Sequence, residues 1–257
     1  MTRTPDPTGG DAAGITADLP VSGPDLPHIP THAVVVCSGG LDSSVLAHWL
    51  AHLGSRLTVL AVDYGQRHRV ELGFAGITAD RLGAPSHVID LSDVGRLLAS
   101  ALTNAQVQVP DGHYADDSMQ VTVVPNRNAI LLDLAVGLAV STGADTVAFG
   151  AHAGDHPIYP DCRPEFVDAY RSMVRVATEG LTPEPITVCA PFVRMTKTQI
   201  VALGTQLQVP FADTWSCYRG QSTHCGTCGT CTERREAFHH AGVPDPTRYA
   251  AGRDRVT

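Results

Sequence analysis

The stretch Cys37-Ser38-Gly39-Gly40-Leu41-Asp42-Ser43-Ser44 limits what this chain can fold into more than any other. It follows Ala33-Val34-Val35-Val36, an apolar β-branched run that reads as a buried strand. It precedes Val45-Leu46-Ala47-His48-Trp49-Leu50, which has the single apolar face of a helix. The order is strand, tight turn, helix. Such a turn needs glycine where the backbone approaches a neighbour closely or takes φ > 0, and Gly39-Gly40 supplies both freedoms. Ser38, Asp42, Ser43 and Ser44 add hydroxyls, a carboxylate and free amides at a helix N-terminus, where an anion is favoured. Phosphate is the natural occupant. Neither the Gly-Lys-Ser/Thr ending of a Walker loop nor a GxGxxG is present. The plain alternative is a glycine turn whose helix is capped by Asp42 or Ser43.

The rest of the chain repeats the alternation of strand and helix. Leu57 to Val62 is apolar throughout, as suits a parallel strand covered on both faces. It ends in Asp63-Tyr64-Gly65-Gln66-Arg67-His68, at the carboxyl end where open α/β sheets place their ligands. Asp63 is expected at a ribose or adenine edge, and Arg67 and His68 at phosphate. Glu71 to Leu82 reads as a helix stopped by Gly83, and His87 to Asp90 as a short strand. Residues 103–119 are polar and aperiodic, which predicts a lid or a surface excursion. Asn126-Arg127-Asn128 leads into an apolar helix from Ala129 to Ala139, and Arg127 is the residue whose fork suits phosphate or carboxylate. After the strand from Thr146 to Gly150 comes Ala151 to Arg163, crowded with His, Asp, Tyr and Arg, which reads as a substrate loop. Cys162 within it is read as a packed thiol. Pro164 opens a helix that Gly180 closes, Ile186 to Ala190 is a further strand, and Thr196 to Gly204 a further helix. Lys197, near that helix's start, either reaches phosphate or lies on an exposed face. The predicted fold is α/β, with a doubly wound, mostly parallel sheet.

Cys217, Cys225, Cys228 and Cys231 form a second constellation, the last three spaced C-x₂-C-x₂-C with glycines that let amides turn toward sulfur. A closed Cys₄ zinc site is expected, and an iron–sulfur cluster is the competing occupant of that spacing. Of the seven cysteines these four are the crowded ones, and the start Met1-Thr2-Arg3-Thr4-Pro5-Asp6 is no secretory signal, so metal is favoured over disulfides and a cytoplasmic location is expected. A formal charge of −8 argues against a general nucleic-acid binder, and no apolar run is long enough for a bilayer. Residues 1–30, rich in Pro, Gly, Asp and Thr, read as a disordered leader, 31–210 as the α/β domain, 211–242 as the zinc-binding region with its helix, and 243–257 as a loose tail.

The turn Ser38-Gly39-Gly40-Leu41-Asp42-Ser43 resembles the pyrophosphate loop of the ATP pyrophosphatases. Together with Asp63 to His68, Asn126-Arg127-Asn128, Tyr159-Pro160-Asp161-Cys162-Arg163-Pro164-Glu165-Phe166 and the cysteine quartet, the chain from about Ala33 to Ala241 resembles the 7-cyano-7-deazaguanine synthases of the queuosine pathway. The resemblance implies an adenine nucleotide alpha hydrolase-like, Rossmann-like fold and an ATP-dependent ligase forming a C–N bond, in which 7-carboxy-7-deazaguanine is adenylated, amidated by ammonia and dehydrated to the nitrile. It implies ATP, Mg²⁺ and Zn²⁺ as cofactors, small-molecule substrates, neither nucleic acid nor membrane as partner, and a homodimer. By position, ATP would be held by Cys37, Ser38, Gly39, Gly40, Leu41, Asp42, Ser43, Ser44, Val45, Leu46 and Ala47, with Asp63 and Arg67. Ser38, Asp42 and Arg127 would be catalytic, and His152, Asp155, Asp161 and Arg163 would meet the deazapurine. The leader, and the wording His152-Ala153-Gly154-Asp155-His156, depart from the family's usual pattern, which leaves open a relative that stops at the amide. A tRNA-thiolating relative is a further alternative; it would share the pyrophosphate loop but need a sulfur relay and a basic RNA surface, and this acidic chain shows no appended sulfur-carrier domain.

Overall fold

The structure, a computed structural model, describes residues 24–250. Five strands form one sheet, β1 (His32–Val36), β2 (Arg56–Asp63), β3 (Ser86–Asp90), β4 (Thr146–Phe149) and β5 (Thr187–Cys189), in the order β3-β2-β1-β4-β5 with every neighbour parallel. Helices α1 (Leu41–His52), α2 (Glu71–Arg81), α3 (Ser92–Gly95), α4 (Arg127–Thr142), α5 (Pro164–Ala177), α6 (Lys197–Gln206) and α7 (Gly229–His240) connect and cover it. Side-chain alternation along β1 explains the two layers. Ala33 and Val35 face a core shared with α1, α2, α6 and α7, while Val34 faces one shared with α4 and α5. The chain leaves β1 for α1 on one face and enters β4 from α4 on the other, so the strand order reverses between β1 and β4. Their carboxyl ends open a crevice there.

Two expected excursions are fastened instead. Residues 103–119 dock on the cysteine region: Val109, Tyr114 and Met119 are buried, Asp111 bridges Cys228, and the Gly112 N–H donates to Thr227 O at 3.2 Å. Val109 joins a buried cluster with Trp215 and the four cysteines, while Tyr114 and Met119 join the core shared with α4 and α5. Residues 243–250 are tied down as well. Val243 packs on the core, Asp245 accepts from Arg234 Nε at 3.2 Å and from the Tyr249 hydroxyl at 2.6 Å, and the Ala250 N–H donates to His224 O at 2.9 Å. Residues 24–30 contribute Leu26 to the core. The remainder of the predicted leader, 1–23, and residues 251–257 of the predicted tail lie outside the described residues. Among the described residues no helix is long and apolar enough to cross a membrane.

Candidate active site and metal centre

The turn after β1 ends in an α1 without a side-chain cap, so neither Asp42 nor Ser43 closes its N-terminus. Gly40 occupies the cap position with φ −73° and ψ 167°, and Ser44 N–H makes the first intrahelical bond back to Gly40 O at 3.1 Å. The amides before it are those a helix leaves for an external acceptor. Gly39 sits at φ +80°, and a Cβ there would lie 2.3 Å from Glu71 O and 2.4 Å from Ala75 N. Glycine is thus required twice over, by conformation and by the approach of α2. Gly39 O in turn accepts from Trp215 N–H at 2.9 Å, which ties the cysteine segment to the turn.

Opposite the turn, five ionisable side chains converge. Lys197, on the first turn of α6, donates to Glu233 Oε2 at 2.6 Å and lies 3.1 Å from Asp42 Oδ2. Burial disfavours its charge, but Asp42 and Glu233 hold its pKa above the ordinary value. His152 Nδ1 accepts from Gly154 N–H at 3.0 Å, so its Nε2 carries the hydrogen and points among Asp155 Oδ1, Asp42 Oδ2 and Glu233 Oε1 at 3.5, 3.8 and 3.9 Å. The Tyr114 hydroxyl donates to Asp155 Oδ1 at 3.0 Å. Burial raises the Glu233 pKa, and Asp42 Oδ1 is buried with no hydrogen-bond partner among the described residues.

Toward β2 the cavity, about 190 Å³, is walled by Tyr64, His68, Glu71, Arg127, Trp215 and Tyr218. The Arg127 guanidinium lies over the Tyr64 ring at 5.9 Å, and among the described residues no carboxylate comes within ion-pair distance of it. Burial dominates its neighbours, pushing the Glu71 carboxyl up to about 8 and the His68 imidazole down to about 3.

Cys37, Ser38, Gly40, Leu41, Asp42, Ser43, Arg127, His152 and Asp155 all line this cavity, and Gly39 supports it from behind. Eight predicted nucleotide and substrate residues do not. Asp63 pairs with Arg69 and accepts from Gly65 N–H at 3.0 Å, and Arg67 donates to Ala101 O and Val107 O at 3.2 and 2.9 Å, so both serve the loop that follows β2. Asp161 accepts from Asn128 N–H at 2.8 Å and so closes the N-terminus of α4; Arg163 is exposed and donates to His156 O at 2.9 Å. Ser44, Val45, Leu46 and Ala47 are buried within α1 and do not line the cavity. Sequence reasoning passed over Tyr64, Glu71, Tyr114, Trp215, Tyr218 and Glu233. Glu71 could have been found from its i+3 spacing to His68. Glu233 carried no signal of its own beyond standing two residues past Cys231.

Cys217, Cys225, Cys228 and Cys231 are buried with their sulfurs within 4.8 Å of one another. Four thiolates held about 2.3 Å from one tetrahedral centre stand roughly 3.8 Å apart. Cys225 Sγ and Cys231 Sγ are 3.9 Å apart, so the quartet fits one ion, whereas a cubane spreads its thiolates over separate irons. Amides of Cys225 and Cys228 point at Cys217 and Cys225 sulfurs at 3.4 and 3.2 Å, helped by Gly226 at φ +78°. Such donors favour thiolate over thiol.

A doubly wound parallel sheet with an uncapped glycine turn after its central strand defines a class, the α/β proteins built on a pyrophosphate-type loop. Within that class, the family model described as "Queuosine biosynthesis protein QueC" matches residues 32–242, and the chain belongs to that family. The 7-cyano-7-deazaguanine synthase of Rhizobium meliloti (strain 1021) is 54% identical over 216 residues, covering 84% of this chain and 91% of that protein. The protein of the same name from Paracoccus denitrificans (strain Pd 1222) is 53% identical over 216 residues, covering 84% and 92%. NMN synthetase from Francisella tularensis, a solved structure, aligns with a TM-score of 0.44 at 16% identity, covering 88% of this chain and 81% of that one.

Proposed function

We propose that this protein is an ATP-dependent ligase that converts 7-carboxy-7-deazaguanine and ammonia to 7-cyano-7-deazaguanine in queuosine biosynthesis. The family and the names of relatives sharing about half its residues support the product. The observation that carries the chemistry is the open N-terminus of α1 facing Lys197 and Arg127 across one cavity. A carboxylate is a poor electrophile, because its charge repels nucleophiles and it has no leaving group. Adenylation removes both faults: ammonia displaces AMP to give the amide, and a second ATP activates the amide oxygen so that its departure leaves the nitrile.

The α1 amides with Ser38, Gly39, Gly40 and Ser43 hold pyrophosphate, and Lys197 exchanges one of its two carboxylates for a phosphate oxygen. Mg²⁺, when bound beside ATP, shares the phosphate charge; Asp42, with its orphan Oδ1, and Asp155 are the residues that fit it. Arg127, free of carboxylates, orients the acid, and Tyr64, Trp215 and Tyr218 offer ring faces for the two purine-like ligands. His152 and Asp155, expected on the deazapurine, lie beside Asp42 and Glu233, and His152 is assigned to hold those two carboxylates in place. The four cysteines hold Zn²⁺ with no open position, a structural role. The same reading includes a homodimer, which a monomer mass in sedimentation would remove from it. The reaction itself is tested by incubating the protein with ATP, Mg²⁺, ammonium and 7-carboxy-7-deazaguanine and following acid, amide, nitrile and AMP by mass spectrometry. Nitrile with AMP is expected; no AMP above background would overturn the assignment.

A further inference from the structure

The segment 103–119 reaches the cavity through Tyr114, a side chain that the reaction as written leaves unused. The stretch around it is pinned to the cysteine region on both sides. Before it, Asp111 bridges Cys228 and accepts from Arg219 Nη2 at 2.7 Å. After it, Met119 is packed so closely on Gly229 that a Cβ added there would lie 2.7 Å from the Met119 sulfur and 3.3 Å from Tyr114 Cα. Between these anchors Tyr114 is 8% exposed, its ring beside that of Tyr159 at 5.8 Å between centroids.

Ring and hydroxyl both meet charged groups. The hydroxyl donates to Asp155 Oδ1 at 3.0 Å, and Lys197 Nζ lies over the ring, 5.6 Å from its centroid. Burial and the Asp155 carboxylate raise the Tyr114 pKa, so the hydroxyl stays a donor at neutral pH. Asp155 Oδ2 accepts from His152 N–H at 3.0 Å, so the carboxylate is held by one bond to each oxygen. A ring with Lys197 at its face and Tyr159 beside it is not free to stack on a purine, which sets Tyr114 apart from Tyr64, Trp215 and Tyr218.

Lys197 is otherwise held by carboxylates, Glu233 Oε2 at 2.6 Å and Asp42 Oδ2 at 3.1 Å. An arriving phosphate competes with both for the ammonium, and each exchange removes a partner that fixes the side chain. The aromatic face carries no formal charge to exchange, so it keeps its hold while the anions change places. We infer that Tyr114 is a positioning residue for nucleotide binding, its ring keeping Lys197 at the phosphate turn and its hydroxyl keeping Asp155 beside it. This rests on the reading above, in which ATP is the nucleotide and Lys197 meets its phosphates. A tyrosine that merely anchored its own segment would act without regard to Lys197, and that difference can be measured.

Calorimetric titration with α,β-methylene-ATP and Mg²⁺ reads binding without turnover, because the bond that the reaction breaks is replaced. Tyr114→Leu should weaken binding about tenfold, and Tyr114→Phe, which keeps the ring and gives up the hydroxyl, about threefold. In a Lys197→Met background, Tyr114→Leu should cost no more than the roughly threefold that the hydroxyl accounts for. Equal losses in both backgrounds would reduce Tyr114 to an anchor of its segment. Tyr114→Phe binding as poorly as Tyr114→Leu would mean that the ring does not hold Lys197, and unchanged binding in Tyr114→Leu would mean that neither group matters. Each of these results overturns the proposal. If Tyr114→Leu does not fold, Tyr114→Met, a longer apolar side chain without an aromatic face, takes its place in both backgrounds. Failure of the unaltered protein to bind the analogue would instead refute the proposed use of ATP, and this role with it.

Discussion

Replacing Gly39 with alanine tests whether the phosphate turn is shaped by the helix behind it. The methyl group would need φ +80°, which costs an L-residue about 1–2 kcal/mol. It would also lie 2.3 Å from Glu71 O, 2.4 Å from Ala75 N and 2.8 Å from Phe74 C, all backbone atoms that cannot rotate away. Relieving those contacts requires a shift on the order of 1 Å, and overpacking of this kind costs about 1–3 kcal/mol. The sum is roughly 2–5 kcal/mol, or on the order of 10 °C in Tm for a chain this long. Because the proposed function puts pyrophosphate on the amides of this turn, a displacement of about 1 Å should also lower turnover about 100-fold. Gly54 supplies the control. It has φ +90° with nothing within 4 Å of an added Cβ, so Gly54→Ala bears the conformational cost alone. Thermal unfolding followed by circular dichroism, with AMP release as the activity, should separate the two variants by several degrees and about two orders of magnitude. Equal Tm and equal turnover would refute the close-approach argument.

Cys228→Ser should lose stoichiometric metal by elemental analysis and fall by about 10 °C or more in Tm, since metal binding free energy is in part folding free energy; full metal content at unchanged Tm would contradict a structural quartet. The pH profile of stability should carry two opposed slopes. Glu71 has its folded pKa raised to about 8, so it binds more protons folded than unfolded and its contribution is lost as pH rises from about 4.5 to 8. His68 has its pKa lowered from 6.5 to about 3, so its contribution is lost as pH falls through that window. Urea unfolding at a series of pH values should show Glu71→Gln flattening the alkaline decline and His68→Asn the acidic one; unchanged slopes would mean that neither group is desolvated as the fold implies.

What the sequence made legible is what repeats with a short period or a fixed spacing. The five strands and the turn after β1 are local: an apolar β-branched run, glycines, then a helical face, and the chain folds as that order demands. The quartet is nearly as local, with three of its members spaced within one helical entry. The candidate site is not, because its walls are set by distant pairs. Lys197 could be placed near a helix start but not between two carboxylates, since its partners Asp42 and Glu233 lie 155 and 36 residues away. Glu233 was missed for the same reason. It lines up with Lys197 because Cys228 and Cys231 stand at the start of α7, which ties the cysteine quartet to the Lys197 end of the cavity. Arg234 completes the tie. Fully buried on the same helix, it donates to Phe211 O at 3.0 Å and to Thr214 and Ser216 hydroxyls at 2.8 and 3.2 Å. It thereby holds the segment whose Trp215 N–H bonds Gly39 O. The cysteine region is therefore less an appendage than one wall of the cavity, and a metal held by the quartet would also fix where Glu233, Trp215 and Tyr218 stand.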